Sequence, residues 1–253
     1  MQRLKQLLLE RWQSIALYGV LFAALGLLLG WKLNTLVPGY SGAEQTSYLH
    51  ALSASNLLDN PLNAPYLLIA KVLSLIHDDS FVVMRIAAVA GAVAVLGAFC
   101  WLLRQWHDTR TAVIGTILFG TSAWFLHAAR MGTPEIMMFG TIILVAAGVW
   151  LRQSKSWIAL LASFALAAVF LYVPGMIWFL IIGLFWQWRT IDRVFKENLG
   201  IVSAGAVVLL LALAPLIWAM YKDTDLIMQW LALPSSWPAP LEILKNIARV
   251  PYH

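Results

Sequence analysis

Charge is scarce in this chain. Asp, Glu, Lys and Arg make up 11% of its 253 residues, against about 25% in an ordinary globular protein. With 61% hydrophobic residues, too little polar surface is left to keep a soluble fold of this size in water. Cysteine is nearly absent. Cys100 stands alone in an apolar stretch, which excludes a disulfide scaffold and leaves the thiol as a small hydrophobe. There is no GxGxxG, no P-loop, no nucleophile elbow and no two-histidine metal spacing; His50 and His77 read as polar surface residues. A basic stripe interleaved with aromatics is also missing, so nucleic acid is not an expected partner. No Asp, Glu, Lys, Arg or His lies in the middle of an apolar run. Ion-coupled transporters and proton pumps need ionisable groups at that depth.

What is present is a set of long apolar runs. They extend from about Ile15 to Trp31, Arg85 to Leu103, Thr111 to Ala128, Pro134 to Leu151, Trp157 to Gln187 and Leu199 to Met220. A membrane-crossing helix needs roughly 17–25 apolar residues. The Trp157–Gln187 run would make a straight helix of about 46 Å, too long for a core of about 30 Å. Its flanks, Arg152/Lys155 and Arg189/Arg193/Lys196, are both basic. The positive-inside rule therefore asks for a hairpin broken at Pro174-Gly175. The expectation is an all-α integral membrane protein of about seven spans, a single domain over 1–253. A long outer loop covers 32–81 and an outer C-terminal segment covers 221–253. With the N-terminus cytoplasmic, ten basic residues and four acids fall inside, and seven basic residues and eight acids outside. The net charge of +5 is then a topology signal. Thirteen Trp and seven Tyr suit interfacial belts. The first span is expected to be a retained anchor, not a cleaved leader.

The polar residues gather on the outer side. In the first loop, Ala43 to Leu58 reads as an amphipathic helix and Tyr66 to Ile76 as a second. Both are expected to lie along the interface, separated by Asn60-Pro61-Leu62-Asn63-Ala64-Pro65. After the third span comes Arg130-Met131-Gly132-Thr133-Pro134-Glu135. Pro134 suits the first turn of the next helix, and Glu135 suits its positive dipole end. Tyr172 falls at an outer turn, as an interface anchor would.

This order of features resembles the C-type membrane glycosyltransferases, in particular the bacterial branch related to protein O-mannosyltransferases and aminoarabinose transferases. The resemblance is carried by Gly39-Tyr40-Ser41-Gly42-Ala43-Glu44, the Asn60–Pro65 element, Met84-Arg85-Ile86-Ala87 and the Arg130–Glu135 turn. It implies inverting transfer of a sugar from a polyprenyl-phosphate donor to a hydroxyl of a lipid, glycan or protein acceptor, outside a bacterial plasma membrane. It implies Glu44 as general base, Arg85 or Arg130 as ligand of the donor phosphate, and Glu135 as a second acid. Some relatives use a divalent metal; the loop acids could support one, but nothing demands it, and no metal ligand is assigned. Relatives commonly carry Asp-Glu where this chain has Ala43-Glu44, and many are about twice as long. Two other readings stay open: a catalytically inactive membrane scaffold, and a lipid or solute transporter.

Overall fold

A computed structural model describes residues 2–33, 41–52, 54–75, 80–154, 157–186, 188, 189, 192, 196 and 199–234. Gly39, Tyr40, His77, Lys155, Arg193 and most of the expected C-terminal segment, with Glu242, lie outside the described residues. Among those described there are helices and no strands. In chain order they are α1 (Gln2–Gly30), α2 (Gly42–Leu52), α3 (Ala54–Asp59), α4 (Ala64–Ser74), α5 (Ser80–Trp106), α6 (Thr109–Gly120) and α7 (Ala123–Arg130). A 3-10 turn (Pro134–Phe139) then leads into α8 (Gly140–Ser154). They are followed by α9 (Trp157–Phe170), α10 (Met176–Trp186), α11 (Leu199–Lys222) and α12 (Asp225–Trp230).

Local chemistry sets several boundaries. Asp108 caps α6, accepting from the backbone N–H groups of Arg110 and Thr111. Asn63 precedes α4 in the left-handed region (φ 58°) and Pro65 occupies its first turn. The Trp157–Gln187 run divides at Pro174-Gly175, where the sequence places a breaker, with Gly175 at φ 78°. The first-loop helix expected over Ala43–Leu58 corresponds to α2 and α3, and position 53 between them lies outside the described residues.

The expected third span differs more. Thr111–Ala128 is not one helix: α6 and α7 meet at a 67° bend. Thr121 Oγ1 donates to the Ile117 carbonyl and Ser122 Oγ to that of Phe119, each at 2.7 Å. Hydroxyls that bond back onto the preceding turn compete with the helical ladder and bend it. Packing shows where the bent pair runs. Gly115 lies against Leu103, Gly120 against Leu96, and Gly132 against Met84 and Arg85. The pair therefore runs along α5 in the opposite direction.

α5 is the axis of the bundle, packed by α1, α2, α4, α6, α7 and α8. Its small residues Ala87, Ala88, Ala92 and Cys100 are buried and let its neighbours approach closely. Three helical segments are long and apolar enough to cross a membrane: Val82–Trp106, Pro134–Ser154 and Leu199–Lys222. The bent pair makes a fourth if its two helices count as one span. The apolar part of α1 (Ile15–Gly30), α9 and α10 are shorter. On α11, Val207, Val208, Leu210, Leu211, Ile217 and Trp218 are exposed. So continuous an apolar surface belongs against lipid.

The two ends of the bundle differ. At one end, the Asn63 N–H donates to the Tyr172 carbonyl (2.8 Å), Trp230 Nε1 to Leu171 (2.7 Å), and Lys222 pairs with Asp59 (3.7 Å). The first-loop helices, the Pro174 turn and the segment after α11 therefore share this loop end. At the other end, Gln153 bonds Gln105 at 3.0 Å, joining the foot of α8 to that of α5.

Candidate functional site at the loop end

The site starts with a local sequence effect. Ser41-Gly42-Ala43-Glu44 is a capping box, a hydroxyl three residues before a carboxylate at a helix start. Its geometry is formed: Ser41 Oγ accepts from the Glu44 N–H at 3.2 Å, and Glu44 Oε2 accepts from the Ser41 N–H at 3.2 Å. The Ser41 hydroxyl adds a long contact to Oε2 at 3.4 Å. A capping box alone would be exposed. Here α2 packs on α4 and α5, which carries Glu44 inward to 1% exposure.

Arg85, near the start of α5, meets it there, also 1% exposed. Its Nε donates to Glu44 Oε1 at 2.9 Å and its Nη2 to Oε2 at 3.2 Å, a bidentate pairing. Arg85 Nη1 donates to the Leu33 carbonyl just beyond α1. The turn after α7 closes the arrangement: the Gly132 N–H donates to Glu44 Oε1 at 2.8 Å. Only glycine fits this approach. A Cβ at position 132 would stand 2.9 Å from Met84 Cβ and 3.2 Å from Glu44 Oε1. One carboxylate thus ties α2, α5 and the Arg130–Glu135 turn together.

Burial pushes the Glu44 carboxyl up. Hydrogen bonds from Arg85, then from the Gly132 and Ser41 N–H groups, and finally the Arg85 charge more than offset this. The net pKa lies below the ordinary value of 4.5. Below the pair, Tyr66 is buried and donates to the Met84 carbonyl at 2.8 Å. Burial, and then the Glu44 charge, push its phenol well above its usual range, so it remains a donor.

Of the four site residues expected from sequence, Glu44 and Arg85 are in direct contact. Arg130 ends α7 instead of lying in the turn beyond it, and its Nη2 donates to the Trp31 carbonyl at 2.6 Å. Among the described residues no carboxylate pairs with Arg130. Glu135 sits in the first turn of the 3-10 segment and is exposed. Ala43, next to Glu44, is exposed too. Among the described residues, no group of three His, Cys, Asp or Glu side chains is placed to hold a metal ion.

Sequence reasoning missed Ser41, Tyr66, Gly132 and Thr133. Ser41 was legible as the first member of a capping box. Gly132 and Tyr66 carry no local signal, because their partners lie on other helices. Thr133 is 4% exposed, and its hydroxyl finds no partner among the described residues. No family model, curated protein or solved structure matches this chain.

Proposed function

We propose that this chain is an integral membrane protein that transfers a sugar from a polyprenyl-phosphate donor to an acceptor hydroxyl at its loop end. The observation that carries the reading is the convergence of Glu44, Arg85 and the Arg130 turn. These lie far apart in sequence, and the resemblance names all three. Their meeting places a carboxylate and two guanidinium-bearing segments at one polar end of an apolar bundle. In the proposed step the acceptor oxygen attacks the anomeric carbon as the bond to the phosphate oxygen breaks. Glu44 takes the acceptor proton, and Arg130 holds the charge left on the phosphate. The acceptor hydroxyl would take the place of Ser41 Oγ at Glu44 Oε2, the longest contact on that carboxylate.

The proposed topology has seven crossings: α1, α5, the α6–α7 pair, the Pro134–Ser154 segment, α9, α10 and α11. Its support is the alternation of ends. The loop-end contacts Asn63–Tyr172 and Trp230–Leu171 and the opposite Gln105–Gln153 contact fall where alternation requires. The loop end is the outer face in this reading, by the positive-inside rule.

A second reading, a catalytically silent membrane partner, is favoured by one observation. Glu44 accepts five contacts, from Arg85 Nε and Nη2, Gly132 N, and Ser41 N and Oγ. A carboxylate offers about four lone-pair sites. A saturated carboxylate with a lowered pKa is a poor base, and the neighbouring exposed position is Ala43. The test is transfer by the purified chain, with a polyprenyl-phosphate sugar and a hydroxyl acceptor. Arg130→Gln should lower turnover at least tenfold in the first reading. No turnover by the wild type, with turnover appearing in Ala43→Asp, establishes the second.

A further inference from the structure

Arg130, the last residue of α7, and Thr133, three residues on in the turn after it, share an anomaly. The buried Nε of Arg130 and the buried Oγ1 of Thr133 have no hydrogen-bond partner among the described residues. Native proteins leave few such atoms, because an unmet buried donor costs its full desolvation. Thr133 is placed to cap the Pro134 segment, yet its side chain makes no capping bond. The ion pairing differs as well. Arg85 is paired with Glu44, whereas among the described residues no carboxylate pairs with Arg130. The end of α7 and the turn after it therefore hold two buried polar atoms without partners among the described residues, one of them on a guanidinium that no described carboxylate pairs. That combination suits a single oxyanion.

We propose that Arg130 and Thr133 together bind a phosphate oxyanion, with Thr133 as the second donor and Arg85 taking no part. Naming the oxyanion as the phosphate of a prenyl phosphate rests on the functional reading above. The chemistry itself is equally open to free phosphate.

The experiment uses the full chain in nanodiscs of zwitterionic lipid. Binding of a short prenyl phosphate and of inorganic phosphate is measured by calorimetry for wild type, Thr133→Val, Thr133→Ser and Arg130→Gln. Wild type should bind the prenyl phosphate saturably. Thr133→Val should bind it roughly tenfold more weakly, about one hydrogen bond to a charged group. Thr133→Ser should recover most of that loss, and Arg130→Gln should lose more than Thr133→Val. Ligand-free Thr133→Val should melt at or above the wild-type temperature, because it removes an unmet hydroxyl; this separates lost binding from lost folding. Inorganic phosphate binding with the same dependence on Thr133 marks a general oxyanion site, and prenyl phosphate binding alone marks a lipid carrier; either supports the proposal. No saturable binding of either probe overturns it. So does a Thr133→Val chain that binds like wild type. Binding that depends on Thr133 without any sugar transfer leaves the site standing and sinks only the transferase reading.

Discussion

The junction around Glu44 and the seam between α9 and α11 are both helix-packing contacts, yet they are built from opposite materials. The junction joins charged and polar groups whose hydrogen bonds have fixed directions. The seam has no charge: α9, with buried Ala159, Leu160 and Ala168, packs on α11, with buried Val202 and Gly205. Its closeness comes from size alone, since a Cβ at Gly205 would come within 2.4 Å of the Phe164 ring. In lipid, the seam gains only packing contacts, because lipid tails are as apolar as the helices. The junction specifies one arrangement of its segments; the seam specifies a distance.

The largest expected effect comes from breaking the junction. Arg85→Ala leaves Glu44 buried without its partner and should destabilise the fold by about 3–5 kcal/mol, measured by unfolding in detergent. Replacing both residues together, as Glu44→Gln with Arg85→Met, should recover most of that loss. A double variant as unstable as Arg85→Ala would show that the pair matters through packing, not charge.

Acid is the next lever, and it should act on one region only. The folded pKa of Glu44 lies below its ordinary value. The stability it contributes is therefore present above about pH 4.5 and is lost as pH falls through the folded pKa. Hydrogen exchange should show α2 and the 130–135 turn opening on acidification while α9 and α11 stay protected. Equal loosening of both regions would refute the distinction.

Two glycine substitutions compare the regions directly. Gly132→Ala meets the Met84 Cβ at 2.9 Å, close to the backbone and unable to swing away. It should cost about 1–3 kcal/mol and also disturb the Gly132–Glu44 bond. Gly205→Ala meets a ring that can turn about χ1 and χ2, so a smaller loss is expected in the same unfolding assay. Tyr66→Phe removes one buried hydrogen bond to the Met84 carbonyl. It should cost about 0.5–1.5 kcal/mol and leave the pH dependence in place, because the Glu44 bonds remain.

Where the sequence was legible, the signal was local. Apolar run length and terminal breakers placed α5, α8 and α11, and Pro174-Gly175 within an overlong apolar run located the break between α9 and α10. The bend at Thr121-Ser122 escaped because a Thr-Ser pair inside an apolar run leaves the hydropathy pattern intact; the hydroxyls change only the backbone bonding. Glu44, Arg85 and the Arg130 turn stood out as polar residues in an apolar chain, but their mutual contacts did not.

The sequence by itself determined that this is a helical membrane-type chain: scarce charge and long apolar runs admit little else, because backbone groups in lipid must be satisfied within each helix. It also determined the capping box at Ser41 and Glu44, which needs only neighbours three residues apart. Only the tertiary structure decided what that carboxylate does. Its partners Arg85 and Gly132 lie 41 and 88 residues away. Docking of α2 onto α5 removes the water that would otherwise solvate Glu44, so its charge must find protein donors instead. Among the described residues Arg130 meets no carboxylate and the Thr133 hydroxyl no partner, which no local pattern encodes.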